Sequence, residues 1–146
     1  MAASEPIRSK KQLHKMAGYW LRQGNVRNHA LIILGAYTDM RMVDLLKLKW
    51  SDVYDQKLEN FQNNVCISGK KAGSKKIVSL NRQAIAALKL CLPEKKGEII
   101  FHNNRKEQLA ISRVQAWRII KAAAKATNAT GKIGCHSLRK SYSQFA

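Results

Sequence analysis

The pattern of apolar residues over the first third of the chain predicts three helices. The first carries one amphipathic stripe, with apolar residues at positions i, i+3, i+4, i+7 and i+8: Leu13, Met16, Ala17, Trp20 and Leu21. Ser9, with a glutamine three residues later, has the capping-box pattern that opens such a helix. Residues 29–37 are apolar on nearly every side, which predicts a buried helix. A third helix is expected to run to residue 46 from a cap at Thr38 or Asp39.

The period of the pattern shortens to two in the middle of the chain. Leu48 and Trp50 alternate with lysines, which predicts a short strand. Val65 and Ile67 alternate again, and the run 77–80 follows after a glycine-containing turn, which is typical of a β-hairpin with a lysine-rich tip. These segments together predict a small three-stranded antiparallel sheet.

Helical spacing returns in the second half of the chain. Asn81 is a suitable cap for a helix that Pro93 closes, and Ser112 begins a second capping-box pattern. The long helix after Ser112 is expected to bury one side: Val114, Trp117, Ile120 and Ala124. A last helix is expected over residues 136–146. The whole pattern predicts one α+β domain over residues 1–146, predominantly helical, with a small sheet inserted among the helices.

The charge of the chain indicates a polyanionic partner. Lysine and arginine number 27 against 9 acidic residues, and the formal net charge is +18. A small domain with this imbalance repels itself unless a polyanion is bound, so nucleic acid is the expected partner. No apolar run is long enough to span a membrane, and no segment joins a polybasic face to a large apolar one, so no membrane partner is expected.

The three cysteines are odd in number and widely spaced: Cys66, Cys91 and Cys135. No pair of them has the spacing of zinc ligands, so a metal site is not expected. Reduced thiols of this kind are typical of a cytoplasmic protein.

Three segments carry residues that suit phosphate chemistry. Arg41 lies at a junction between two helices, where its planar guanidinium can bind phosphate oxygens, although a simple surface pair with Asp44 is the alternative. The hairpin tip holds four lysines that can follow a DNA backbone or remain solvated: Lys70, Lys71, Lys75 and Lys76. On the last helix, His136 and Arg139 are three apart with Lys140 beside them, which suits one phosphate, although a histidine that merely caps the helix is the simpler interpretation.

These three segments, in this order, resemble those of the tyrosine recombinases, or phage integrase family. Residues 38–53, TDMRMVDLLKLKWSDV, are similar to the family's first arginine box. KAG at 71–73 with VSL at 78–80 is similar to its lysine hairpin, and HSLRKS at 136–141 matches its HxLR box. The similarity runs from about Ser9 to the last residue. Asp39 stands where the family usually has glycine, and a carboxylate there is expected to cap the helix or to pair with Arg41.

The resemblance implies DNA strand exchange through a 3′-phosphotyrosyl intermediate, without metal or cofactor. By position, Arg41 and Arg139 would bind the non-bridging oxygens of the scissile phosphate and offset the charge that develops in the transition state. Lys71, or Lys70 if the turn aligns one residue differently, would protonate the leaving 5′ oxygen. His136 would hydrogen-bond the phosphate and help to move protons.

The resemblance also places Asp44 at an acidic position that would orient Arg41 or His136 from behind. The family's nucleophilic tyrosine is expected beyond residue 146, because no tyrosine of this chain matches its position: Tyr19, Tyr37, Tyr54 and Tyr142. Tyr142 is instead expected in the core with Leu138 and Phe145. The chain is also expected to lack the N-terminal DNA-clamping domain of the family and to be inactive by itself.

Three functions remain open on the sequence. The first is the DNA-binding catalytic core of a bacterial or phage site-specific recombinase, which acts in DNA integration or recombination with other recombinase subunits. The second is a DNA-binding remnant or regulator without catalysis. The third is a basic RNA-binding domain, which explains the charge but not the three ordered segments.

Overall fold

The computed structural model of the chain describes Ile7, residues 9–68 and residues 73–145. These residues form seven α-helices, α1 to α7 in chain order: Lys10–Arg22, Val26–Tyr37, Met42–Leu46, Trp50–Val53, Arg82–Cys91, Arg113–Ala126 and Cys135–Phe145. They also form four short strands, β1 to β4: Tyr54–Asp55, Asn60–Phe61, Asn64–Ser68 and Lys75–Ser79. A 3-10 turn at Leu92–Glu94 follows α5. The predominantly helical α+β architecture is confirmed.

Helix α2 is the centre of the core. Every residue from Ala30 to Tyr37 is buried, as the apolar run predicted, and α2 contacts α1, α5 and α7. The helix begins earlier than the apolar run, at Val26, because the side chain of Asn25 accepts a hydrogen bond from the backbone N–H of Asn28. A helix surrounded on several sides by other helices has no solvent face to fill with polar residues, which explains its composition.

Helix α1 packs on α2 through the predicted stripe. The side chain of Ser9 accepts from the backbone N–H of Gln12, so the expected cap is confirmed. The side chain of Gln12 reaches away to the hydroxyl of Thr127, at the end of α6. Leu13 and its neighbours on the stripe are buried, but Leu21 at its end is exposed. Trp20 in the same turn is half-buried and its indole N–H donates to the carbonyl of Ile119 on α6, so only part of the last turn faces solvent.

The sheet differs from the prediction. The described residues form two separate two-stranded antiparallel sheets, β1 with β2 and β3 with β4, instead of one three-stranded sheet. The expected strand at Leu48 and Trp50 is reduced to one isolated bridge between Lys49 and Ile99. Asp52 accepts a hydrogen bond from the backbone N–H of Lys49 and turns the chain into α4, which ends the extended segment.

Helix α6 buries a different face from the one predicted. Val114 and Trp117 are 57% and 48% exposed. The buried residues are three alanines and two isoleucines: Ala116, Ile119, Ile120, Ala123 and Ala124. Ile120 and Ala124 were on the predicted face, and the capping box at Ser112 is complete. Alanines on the inner face let α6 lie close to its neighbours, whereas Val114 and Trp117 remain on the outer side.

The three cysteines are free thiols, with Cys66 exposed, Cys91 buried and Cys135 half-buried. Burial raises the pKa of Cys91 to about 12, since removal from water disfavours the thiolate. Within the described ranges, no helix combines the length and the apolar character that crossing a bilayer requires.

Candidate nucleic-acid interface

Asp39 lies where three elements meet, just after α2. Its Oδ1 accepts a hydrogen bond from Nε of Arg139 on α7, at 3.2 Å. Its Oδ2 accepts from Nζ of Lys76 on β4, at 2.8 Å, and the same Nζ donates to the backbone carbonyl of Asp39 at 3.0 Å. The β3–β4 hairpin and α7 are thus joined to the loop that leads into α3.

The expectation that Asp39 would cap α3 or pair with Arg41 is wrong. Arg41, in extended backbone conformation, is the residue that precedes the first turn of α3, and the side chain of Asp39 points to Lys76 and Arg139. The fold brings Lys76 and Arg139 to this carboxylate, and they bind it in place of a partner that is near in sequence. The hydrogen bond from Lys76 lowers the pKa of Asp39, and the bond from Arg139 adds to this effect against the opposing influence of desolvation.

Arg41 follows Asp39 by two residues in the same loop, and its side chain has a carboxylate partner of its own. Its Nε lies 3.2 Å from Oδ2 of Asp44, one turn into α3. The side chain of Asp44 is only 11% exposed, whereas that of Arg41 is 37% exposed. The carboxylate thus lies behind the guanidinium and restrains it from the protein side. The surface pair considered as an alternative is present, and it also suits the orienting role that the resemblance gives to Asp44.

Helix α7 carries the histidine, arginine and lysine of the HxLR segment on its outer side. His136 and Lys140 are exposed, and Arg139 is half-buried. The opposite side of α7 is fixed by buried serines. Ser137 accepts from the backbone N–H of Gly134, and Ser141 donates to the carbonyl of Ser137 while it accepts from the backbone N–H of Ile7. These bonds leave the residues that suit phosphate contact facing outward.

Tyr142 was predicted to lie in the core, but it is only half-buried. Leu138 is fully buried as expected, and the interior positions beside it belong to Ser137 and Ser141. Small serines allow α7 to approach its neighbours closely, and the helix is rotated so that the tyrosine lies at the edge. The side chain of Phe145 lies outside the described part of the chain.

Of the four lysines of the predicted hairpin tip, the structure describes the two that lie on β4. Lys75 is exposed, and Lys76 is half-buried against Asp39. Lys70 and Lys71, the two candidates for the proton-donating lysine, lie outside the described residues. Because Lys76 and Arg139 both bind Asp39, the end of the β3–β4 ladder that lies next to the tip is fixed close to Arg139 and to the loop that leads to Arg41.

The sequence did not assign Asp39 its bridging position. The signal that was present is an acidic residue two positions before Arg41 in a strongly basic chain. Its partners are 37 and 100 residues away, so local pattern could not identify them. In the described part of the chain, no cluster of three or more histidine, cysteine or acidic side chains could hold a metal ion.

Comparison with solved structures identifies the class to which this fold belongs. The XerA recombinase superimposes with a TM-score of 0.77 at 20% identity, over 98% of this chain and 51% of that chain. A lambda integrase (residues 75–356) dimer bound to a COC′ core site superimposes with a TM-score of 0.73 at 19% identity, over 99% of this chain and 53% of that chain. The fold is that of the catalytic domain of a tyrosine recombinase.

The sequence itself leads to the same class. The profile of the phage integrase family matches residues 9–144. The probable integrase/recombinase YoeC of Bacillus subtilis is 30% identical over 138 residues, which cover 94% of this chain and 72% of that protein. The chain therefore belongs to the phage integrase family. It spans about three quarters of YoeC and about half of the two solved recombinase chains.

Proposed function

We propose that this chain binds duplex DNA as the catalytic core of a site-specific recombinase that acts in DNA integration or recombination. The observation that carries the proposal is the juxtaposition around Asp39. Arg139 contacts this residue directly, Arg41 follows it by two positions, and His136 is exposed one turn before Arg139. Two guanidinium groups and an imidazole on one basic surface suit a single phosphodiester.

The reaction proposed for this surface is a phosphoryl transfer. A tyrosine hydroxyl, supplied from outside these 146 residues, attacks the scissile phosphorus, and the bond to the 5′ oxygen breaks. Arg41 and Arg139 hold the non-bridging oxygens, whose charge grows in the transition state. His136 hydrogen-bonds the same phosphate and accepts the proton that the tyrosine hydroxyl loses, and Lys71, or Lys70 beside it, gives the leaving 5′ oxygen its proton. Asp44 keeps Arg41 in place.

The proposed partners are double-stranded DNA and other recombinase subunits. Lambda integrase has been solved as a dimer on a core site and as a tetramer on a Holliday junction, and DNA-bound assembly of this kind is proposed here by analogy. Lys75, Lys76 and Lys140 would contact the DNA backbone beside the central phosphate, and Lys70 is proposed to do the same. Such a protein would work in the cytoplasm, at the nucleoid, where its substrate is.

The first experiment measures the affinity for a fluorescent DNA duplex by anisotropy. Arg139→Ala and Arg41→Ala should each weaken binding about tenfold or more, since a charge-assisted contact to a phosphate is lost. Arg22→Ala is the matched control, because Arg22 ends α1 next to the start of α2, and the 12 residues of α2 separate that turn from Asp39 by about 18 Å. Equal affinities for all three variants would contradict the proposal, as would equally tight binding of RNA that Arg41→Ala does not affect.

The second experiment tests chemistry with nicked duplex DNA as a suicide substrate. We expect no covalent protein–DNA adduct from this chain alone, because none of its four tyrosines matches the family's nucleophile. An adduct would contradict that expectation, and peptide mass spectrometry would locate the tyrosine. Tyr142 would be the first candidate, since it is half-buried and lies one turn after Arg139 on α7.

A further inference from the structure

The carboxylate of Asp39 uses its two oxygens as a phosphate would use two of its own. One oxygen accepts from Arg139 on α7, and the other accepts from Lys76 on β4. Both cations belong to the surface that the proposed function gives to DNA. The Asp39 carboxylate is therefore bound to two of the cations that would otherwise contact the DNA backbone.

We propose that Asp39 is an affinity-determining residue, whose carboxylate competes with the DNA phosphate for Arg139 and Lys76. This inference rests on the proposed DNA-binding function and deepens it. In the DNA-free protein the carboxylate holds both side chains. When DNA binds, a phosphate displaces Asp39 from one or both of them, and part of the binding free energy is used to break these ion pairs.

The exposure of the three side chains makes the displacement feasible. The side chains of Arg139, Lys76 and Asp39 are 38%, 39% and 43% exposed, so water screens both ion pairs. Exposed pairs of this kind change an equilibrium by only about 1.5- to 5-fold each. A polyanion that also releases counterions on binding can overcome such contacts, but their loss remains measurable.

The nearby pair of Arg41 and Asp44 provides the contrast. Asp44 is the more deeply buried carboxylate and lies behind Arg41 within the same helical turn. It therefore supports its arginine without taking a position that a phosphate would occupy. Removal of the negative charge from Asp39 and from Asp44 should thus have opposite effects on DNA affinity, although the change in net charge is identical.

The test measures duplex DNA affinity by anisotropy over a series of salt concentrations. Asp39→Asn should bind about three- to tenfold more tightly than the unmodified chain at low salt. The plot of log affinity against log salt should also steepen, by about 0.9 for each cation that gains a phosphate contact. Asp44→Asn should weaken binding. Glu107→Gln, which removes one charge from an exposed loop residue, should change affinity by less than about twofold.

Two further variants tie the effect to the named side chains. Arg139→Ala should reduce DNA affinity more in the Asp39→Asn background than in the unmodified chain. Without the Asp39 carboxylate, the full interaction of Arg139 with the DNA phosphate contributes to binding. Asp39→Glu, which keeps the charge, should not reproduce the gain. Asp39→Ala should reproduce it and replaces Asp39→Asn if that variant fails to fold by circular dichroism.

The outcomes separate this inference from the function on which it rests. If Asp39→Asn binds no more tightly than Glu107→Gln, or if its gain survives Arg139→Ala and Lys76→Gln unchanged, the competition is disproved. Weaker binding of Asp39→Asn that Asp39→Glu restores would disprove it as well and would make Asp39 a positioning residue. The proposed function fails on a different result, namely Arg41→Ala and Arg139→Ala without effect in the unmodified chain.

Discussion

Gly35 determines how near α7 can lie to α2. A Cβ atom at this position would be 2.5 Å from Cδ1 and 3.1 Å from Cβ of Leu138, closer than packed carbon atoms approach. Leu138 follows His136 by two residues and precedes Arg139, so this contact also sets the height of both side chains above the core. Because Gly35 has no side chain, α7 can lie close to α2, and this approach helps to define the proposed phosphate-binding surface.

Gly35→Ala should lower the free energy of unfolding by about 1–3 kcal/mol, because the methyl group has no space unless α7 moves. Urea denaturation followed by circular dichroism measures the change. Gly18→Ala is the control, since its Cβ would meet only the end of the flexible Arg22 side chain, 3.2 Å away. That variant should be more stable by about 0.5–1 kcal/mol from helix propensity. Equal stability of both variants would show that α7 does not depend on this contact.

Asp39 should also make the free energy of unfolding depend on pH in the acidic range. Its pKa is lowered in the folded state, chiefly by the hydrogen bond from Lys76. A carboxyl group with a lowered pKa stabilises the folded state at every pH above its unfolded value, near 3.9, and this contribution is lost as pH falls through the folded pKa. The ion pairs at this surface are therefore a source of acid sensitivity.

Asp39→Asn should be less stable than the unmodified chain at pH 7, and the difference should shrink when unfolding is measured near pH 3. Urea denaturation at the two pH values gives both differences, and Glu107→Gln, an exposed acidic residue, provides the comparison. A deficit for Asp39→Asn that is the same at both pH values would mean that the carboxylate charge has no part in it. The same variant is expected to bind DNA more tightly, so affinity and stability are opposed at this residue.

Helix α6 illustrates how a correct element can be assigned the wrong face. Its start at Ser112 follows from a local capping box, which sequence reveals directly. Its orientation depends on which side the rest of the fold covers, and the covered side is lined with alanines and isoleucines. Trp117 remains on the outside, where the ammonium of Lys121 lies 5.8 Å from the centre of its ring.

This orientation predicts unequal costs for two substitutions on the same helix. Ile120→Ala should lower the free energy of unfolding by about 2–5 kcal/mol, since Ile120 is fully buried. Trp117→Ala should cost less than about 1 kcal/mol, although it removes a larger side chain, because Trp117 is 48% exposed. Urea denaturation of the two variants measures both values. A larger loss for Trp117→Ala would mean that Trp117 is packed in the core and not at the surface.

The charge of the whole molecule gives its DNA affinity a characteristic dependence on salt. With a net charge of +18, the protein should release counterions from DNA on binding. The logarithm of the affinity should then fall linearly with the logarithm of the salt concentration, by about 0.9 for each phosphate contact. Anisotropy titrations between 50 and 200 mM salt, as typical conditions for such proteins, measure this slope. An affinity that does not change with salt would contradict contact with the DNA backbone.

Most elements of this fold were predictable because their causes are local. The cap residues Ser9, Asn81 and Ser112 begin helices as predicted, since each side chain bonds a backbone N–H only three residues away. The hairpin of β3 and β4 was predicted from alternation around one turn, and it is confirmed. The three ordered segments together indicated the family, and the HxLR segment was the most specific of them because its residues lie at fixed spacing along one helix.

What the sequence by itself determined is therefore most of the helices, the hairpin of β3 and β4, the family and the residue types on the basic surface. The tertiary structure decided how these parts face one another. It rotated α6 and α7 to bury small residues and left Trp117 exposed and Tyr142 half-buried. It also brought Lys76 and Arg139 to Asp39 from distant parts of the chain. Such contacts depend on packing between elements, and packing is a property of the folded chain that no local pattern encodes.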